Sequence, residues 1–443
     1  MRKIAIIWWG GREHVIAEKL SSDDSISEIG VFATDNPGIL DTPKVRLFDT
    51  IDSIDPDTFV PLGKILMENN YDALVVWPEW PLSTGVVDAF EGAGIRVPIF
   101  WPDRDTSRLE SSKWFARKFM TEFSIPWPKY SIFNTGNHEK AQRYILSEFH
   151  QWAKKIVLKA DWLAQWKGVE IYDSPDTALE WLKHFFEGKF WDAGATVVIE
   201  ECMEWMEFSA FALLDGTGNY IMLPSAQDHK RLLDWDTWVN TGGMGAVTFR
   251  NPPWVNSHIM ERELEEKIVR PTIYGIQARW MKYRWVLYFG LMITQDGIKV
   301  IEYNIRFGDP EAEVLIPLIS TPFSEIVWAT VHGKLKQLKI EVSSDEMVGV
   351  VMASWWYPFD NPNRGTVIKG INTANSMPNV RVYQAGTSQN QKWDILATGW
   401  RILVVTGRWS TIESARQKAY DGVSNILFEG SQVRKDIGHH LVP

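Results

Sequence analysis

The stretch Lys3 to Gly11, KIAIIWWGG, limits the fold more than any other. A short apolar run ends on a glycine pair, and a helical pattern from His14 to Leu20 follows at once. So short an apolar run reads as a strand buried on both faces, the pattern of parallel strands covered by helices. Ile29 to Thr34 predicts a second strand, closed by the turn signal Asn36-Pro37-Gly38, and Ala73 to Val76 predicts another before a proline-rich loop. Alternating strands and helices make residues 1–102 a parallel α/β domain. A ligand then belongs at the carboxyl ends of the strands, where Gly10–Gly11 and Pro78-Glu79 both fall.

A chain of 443 residues needs more than one core. From 103 to 330 the pattern becomes α+β and mostly antiparallel. Ser111 to Phe123 predicts an amphipathic helix, and Lys155–Lys159 and Ala195–Glu200 predict strands of a small subdomain at about 125–203. Phe208–Leu214 and Tyr220–Pro224 predict a hairpin across DGTGN, as do Val286–Ile293 and Lys299–Tyr303 across TQDG. Residues 331–443 form a further, α/β-like C-terminal domain.

The net charge of -10, spread along the chain, argues against nucleic acid as a partner and leaves room only for a local basic pocket. The single cysteine, Cys202, excludes internal disulfides and fits a reducing compartment. No apolar run approaches membrane-spanning length, and MRKIAII lacks a signal-peptide layout, so a cytoplasmic enzyme is expected.

Three segments carry chemistry. KADWLAQWKGV (159–169) reads either as a loop that covers phosphates with backbone N–H groups and lysines, or as a solvated surface loop. In IEYNIRFGDPE (301–311), strand alternation puts Glu302 and Asn304 on one face, with Arg306 following. A carboxylate and an amide oxygen so placed can share a hard cation such as Mg²⁺, although a solvated polar face has the same pattern. The segment SAQDHKRLLDWDTWVNTGGMGA (225–246) gathers Asp228, His229, Lys230 and a glycine-rich turn; His229 taken alone reads as a surface histidine. There is no Cys/His zinc spacing and no G-x-S-x-G nucleophile.

In this order the segments resemble the phosphoribosylamine–glycine ligases, or GAR synthetases, of the ATP-grasp superfamily. The resemblance is carried by GGREH (10–14), LESSK (109–113), KGV (167–169), VVIEE (197–201), PSAQDHKR (224–231), NTGGMGA (240–246), IEYNIRFGDPEAEV (301–314) and FEGSQVRKDIGHH (428–440). It implies a pre-ATP-grasp domain, an ATP-grasp domain and a C-terminal domain. It also implies joining of glycine to 5-phosphoribosylamine with ATP and Mg²⁺ (or Mn²⁺) through a glycyl phosphate, by a monomer. Carried onto this sequence, Lys113, Lys159, Lys167, Gly168 and Val169 meet ATP phosphates. Glu200, Glu201 and Met203 contact adenine through backbone groups, and Glu207 the ribose. Glu302 and Asn304 hold the metal, and Arg306, Asp309 and Asp228 are the catalytic candidates. Gly10, Gly11, Glu79, Asn240, Gly242, Gly243 and Gly245 lie at the phosphoribosyl site. Another ATP-grasp carboxylate–amine ligase acting on a different amine or acid, such as a purine-pathway sibling, and a non-catalytic pseudoenzyme are the alternatives.

One feature opposes the resemblance. The chain has 24 tryptophans against 31 glycines, and most tryptophans stand where the family has glycine. These are Trp8, Trp9, Trp77, Trp101, Trp162, Trp166, Trp191, Trp205, Trp235, Trp238, Trp280, Trp285, Trp400 and Trp409, with Trp355, Trp356 and Trp393. The other seven, Trp80, Trp114, Trp127, Trp152, Trp181, Trp254 and Trp328, stand where the family varies. Some bacterial lineages read UGA as glycine, whereas a common alternative table reads it as tryptophan. One such misreading accounts for the whole first set, with deliberate glycine-to-tryptophan design that blocks the pockets as the rival explanation, and the chain as written is expected to have little or no activity.

Overall fold

The computed structural model describes all residues except 8–9, 33–34, 49–54, 77, 101, 152–153, 162–168, 187–195, 250–256, 360–364 and 442–443. The first sheet is parallel, in the order Val45–Phe48, Ile26–Phe32, Arg2–Ile7, Ala73–Val76. Ile4 lies opposite Ile29 and Ala73, so the central apolar run is paired on both edges, and its residues Ile4–Ile7 are buried. Helix Gly11–Ser21 leaves the carboxyl end of the central strand, as expected. Asn36 begins a short helix, Pro37–Leu40, where a turn was expected. Its side-chain oxygen accepts from Gly38 N at 2.9 Å, while its amide donates to Gln384 O at 2.8 Å and ties this domain to the C-terminal one.

A four-stranded antiparallel sheet, Tyr130–Asn134, Thr196–Glu201, Ile156–Ala160, Val169–Tyr172, is covered by helices His138–Gln151 and Pro175–Phe186. It has its own small core, built on Ile145, Leu158, Leu182 and Ile199. The expected helix over 111–123 is broken at Ser112. Helix Arg104–Ser111 ends there, and Ser112 caps helix Lys113–Glu122 by accepting from Phe115 N at 3.2 Å. The sequence hid the break, because Asp161, which accepts from Trp114 N at 3.1 Å, comes from a distant strand end.

The largest sheet has nine strands, and both predicted hairpins lie in it. Strand Tyr220–Asp228 runs past Pro224, where the sequence reading ended it. Proline has no N–H for the ladder, so the strand bulges between Leu223 and Ala226 and then resumes. That continuation carries Asp228 to the sheet end. Strands Glu346–Ser354, Val380–Gln384 and Arg401–Trp409 extend the same sheet antiparallel, beyond Gly245–Phe249. The C-terminal segment is therefore antiparallel, not α/β-like. Its strands are buried on both faces, with helix Ile412–Ser424 against one side, and so imitate parallel strands in sequence.

Among the described tryptophans, positive φ occurs at five positions. Trp205, Trp235, Trp238, Trp280 and Trp393 have φ of 152°, 61°, 71°, 56° and 66°. All five belong to the glycine-position set. Trp280, Trp393 and Trp235 are also 92%, 79% and 71% exposed. Trp80, Trp114, Trp181 and Trp328, all from the other set, lie within α-helices. Trp285 is fully buried, with its ring centroid 3.8 Å from that of Phe100. Aromatic pairs usually keep about 4.5–7 Å, so this pair is overpacked.

Candidate active site

Strand Gly297–Asn304 presents Glu302 and Asn304 on one face of the pleat, and Asn304 Nδ2 donates to Glu302 Oε1 at 3.4 Å. Burial would push the Glu302 carboxyl up, but the ammonium groups of Lys230, Lys159 and Lys113 outweigh it and hold the carboxyl below the ordinary range. Lys159, on Ile156–Ala160, pairs with Glu200 Oε2 at 2.7 Å, and Arg117 Nε donates to Glu200 Oε1 at 2.6 Å. The Glu200 side chain is thus fully engaged. Glu201 pairs with Lys299 at 3.0 Å, and Met203 follows in the connecting segment. Glu207 forms a close ion pair with Lys230. Lys113 opens its helix facing this group, and burial lowers its pKa against the pull of Glu302. Val169 lies opposite Lys159 in the sheet; Lys167 and Gly168 lie outside the described residues. Three cations around an ionised carboxylate and an amide oxygen can receive a polyphosphate with a hard divalent cation.

Arg306, just beyond this strand, ties a second group to the first. Its Nη2 lies 2.8 Å from Glu110 Oε1 and its Nε 3.5 Å from Glu79 Oε2. Burial pushes Glu110 up to about 7 despite Arg306, whereas Arg306 and Arg12 overcome burial at Glu79 and hold it low. Asp309 pairs with Arg401 Nη1 at 3.1 Å and with Arg12 Nε at 3.9 Å. Arg401 also donates to Gly242 O at 2.7 Å, and Gly242 N donates to the Tyr357 hydroxyl at 2.6 Å. Gly243 has φ +112°, and a Cβ there would lie 2.7 Å from Asp228 Oδ1. Only glycine fits that turn. Asp228 Oδ1 is buried with no hydrogen bond among the described residues, and burial with the Glu311 charge raises its pKa far above normal. Gly10 N donates to Glu13 Oε2 at 2.6 Å, and a Cβ on Gly11 would collide with Glu313.

Two residues sit apart from this crevice. Gly245 lies within a strand, where a Cβ would come 2.7 Å from Gly349 O, so it serves sheet packing. Asn240 pairs with Arg231 in a two-stranded ribbon. His229 is buried, contrary to its reading as a surface residue. Its Nε2 accepts from Gly438 N at 3.0 Å, and burial with the Arg434 charge lowers it to about 3.

Arg12, Glu13, Glu110, Glu311, Glu313 and Arg401 complete the site without having been assigned roles from sequence. Glu313 is 0% exposed and neither of its oxygens has a hydrogen bond among the described residues; burial and Asp309 raise its pKa far above normal. Glu13, Glu311 and Glu313 stand in the first turns of helices, where acids normally read as partners of the helix dipole, which masked them.

Glu13 supplies a pH test. Burial pushes it up to about 7 from 4.5. The folded state then keeps a proton that the unfolded chain releases, so this contribution is full below about pH 4.5 and lost as pH rises towards 7. The effect is on the order of 3 kcal/mol. Glu13→Gln is expected to stabilise the chain at pH 8 and not at pH 4, measured by urea unfolding; an equal change at both pH values would count against it.

The sequence models of three phosphoribosylglycinamide synthetase domains match this chain: the N domain over residues 2–110, the ATP-grasp (A) domain over 111–312 and the C domain over 347–440. The chain is 38% identical to the phosphoribosylamine–glycine ligase of Neisseria meningitidis over 442 residues, 99% of each chain. It is 35% identical to that of Caldanaerobacter subterraneus over 439 residues, 98% of this chain and 99% of the other. The crystal structure of the Thermotoga maritima phosphoribosylamine–glycine ligase superposes with a TM-score of 0.79 at 27% identity, covering 98% of this chain and 100% of that one. N5-carboxyaminoimidazole ribonucleotide synthetase from Thermotoga maritima shares the fold, with a TM-score of 0.60 at 14% identity over 97% of this chain and 99% of that one. Among the described residues, no helix is long and apolar enough to cross a membrane.

Proposed function

The chain belongs to the phosphoribosylglycinamide synthetase family, and from that premise we propose that it joins glycine to 5-phosphoribosylamine with ATP, as a monomer in the cytoplasm. The observation that carries this reading is the convergence of Lys113, Lys159 and Lys230 on Glu302, beside Asn304. The lysines hold the ATP phosphates, and backbone groups of residues 200–203 take the adenine. Glu302 and Asn304 hold Mg²⁺ (or Mn²⁺), which offsets phosphate charge during transfer. A glycine carboxylate oxygen attacks the γ-phosphorus and ADP leaves. The sugar amine then attacks the glycyl carbonyl carbon, phosphate leaves with that oxygen, and the amine loses a proton. Arg306 and Asp309 orient glycine and the amine sugar. Asp228 lies beside the turn Gly242–Gly243, and the phosphoribosyl group rests against Gly10 and Gly11 near Glu79.

We also propose that the tryptophans at family glycine positions are glycine in the cell. The five left-handed backbones at such positions, and the helical placement of Trp80, Trp114, Trp181 and Trp328 from the other set, support this. Positions 8, 9, 162 and 166 lie outside the described residues, and as written they carry indoles where the family has the glycines of its phosphate-binding loops. Phosphate release from ATP, dependent on both glycine and 5-phosphoribosylamine, tests both proposals. The chain with glycine at those four positions is expected to turn over at least 100-fold faster than the chain as written. Equal rates would overturn the steric argument, and release without either co-substrate would overturn the assigned reaction.

A further inference from the structure

Far along the chain from the reaction centre, the C-terminal turn meets the loop after Leu233. Asp236, His439 and His440 place one donor atom each within 4.8 Å of one another. His440 Nε2 lies 2.8 Å from Asp236 Oδ2. His439 Nδ1 lies 2.7 Å from Asp436 O. A carbonyl only accepts, so Nδ1 carries the proton and Nε2 keeps its lone pair. That is the tautomer a metal-binding imidazole needs, fixed by a partner behind the ring. The carboxylate is oriented in the same way. Arg434 Nη1 donates to Asp236 Oδ1 at 2.8 Å and leaves Oδ2 facing the histidines, while Arg434 Nη2 grips Asp436 at 2.7 Å. His440 and Asp236 are about 39% and 38% exposed at their side chains, so an ion can enter from solvent.

We propose that Asp236, His439 and His440 form a site for a divalent transition ion of the zinc type, clasping the C-terminal turn to the 234–236 loop. Two imidazoles and one carboxylate make a borderline donor set that selects Zn²⁺ over Mg²⁺. Bonds of about 2.0–2.1 Å draw the three atoms together by rotation of the exposed His440 ring. That ring has only to move its proton from Nε2 to Nδ1. A fourth position stays open to water. The loop so clasped runs through strand Thr237–Asn240 into the turn at Gly242 and Gly243, so the ion would stiffen one wall of the substrate crevice without touching it. No donor comes from residue 235, but the Trp235 ring packs edge-on against His439 at 4.9 Å between centroids, and glycine there opens that face of the imidazole. Sequence spacing could not reveal it, because the donors lie some two hundred positions apart.

Zn²⁺ titrated calorimetrically into the full chain, freed of metal and nucleotide, tests the site. The expected result is one ion per chain, with affinity at least tenfold weaker in His439→Ala and in His440→Ala. It should be unchanged in Glu302→Gln, which separates this ion from the catalytic one. Co²⁺ is expected to give a visible absorption band that both histidine variants lose, with far-ultraviolet circular dichroism confirming that they fold. Binding that survives the double histidine variant, or that disappears with Glu302→Gln alone, overturns the proposal.

Discussion

Glu302→Gln, made in the chain with glycine at positions 8, 9, 162 and 166, is expected to lower kcat on the order of 10³-fold. The carboxylate stands among three ammonium groups that keep it ionised despite burial. Its neutral amide retains shape and one oxygen but not the charge that binds a divalent cation. That charge matters most as the γ-phosphoryl group moves, so kcat should fall much more than the KM for ATP rises. Glu200→Gln makes the informative contrast. Glu200 is paired to Lys159 and Arg117 and sits behind the phosphate-facing lysine, so it should disturb ATP binding and stability first. Steady-state rates over a range of ATP and Mg²⁺ concentrations decide the matter. A Glu302→Gln turnover within tenfold of its parent would remove the metal from this pair.

Glycine at Trp205, Trp235, Trp238, Trp280 and Trp393 together is expected to stabilise the chain by roughly 5 kcal/mol. A side chain held at left-handed φ costs on the order of 1 kcal/mol or more, and glycine removes that cost. At about 2 °C per kcal/mol, the thermal midpoint should rise by roughly 10 °C. The sign reverses at Trp114, Trp181 and Trp328. These lie inside helices, where glycine costs about 1 kcal/mol before any lost packing. Trp328 also lies 5.0 Å beneath the Arg2 guanidinium, a contact that glycine would delete. Scanning calorimetry of both sets against the parent decides this. Destabilisation by the five-site change would mean that these indoles have been accommodated.

Three of the four parallel strands of the first domain were legible because each holds a short apolar run buried on both faces, whereas the half-exposed Val45–Phe48 was not; the hairpins were legible because DGTGN and TQDG mark their turns. The same rule misled over the C-terminal domain, where Glu346–Ser354 is an antiparallel strand equally buried on both faces. The break at Ser112 and the resumption of the strand after Pro224 depend on partners far along the chain. In the site, strand alternation was enough to bring Glu302 and Asn304 together. Arg12, Arg401 and Glu313 were illegible, since isolated charges carry no period that reports burial. The clasp from Asp236 to His440 needs the closed fold before its donors meet.

The reaction is tested most directly by where glycine's oxygen goes. The chain with glycine at 8, 9, 162 and 166, given ATP, 5-phosphoribosylamine and glycine labelled with ¹⁸O in both carboxylate oxygens, should release phosphate carrying one ¹⁸O. Mass spectrometry of the phosphate reads this in a single turnover. Unlabelled phosphate would mean that no glycyl phosphate forms in this crevice.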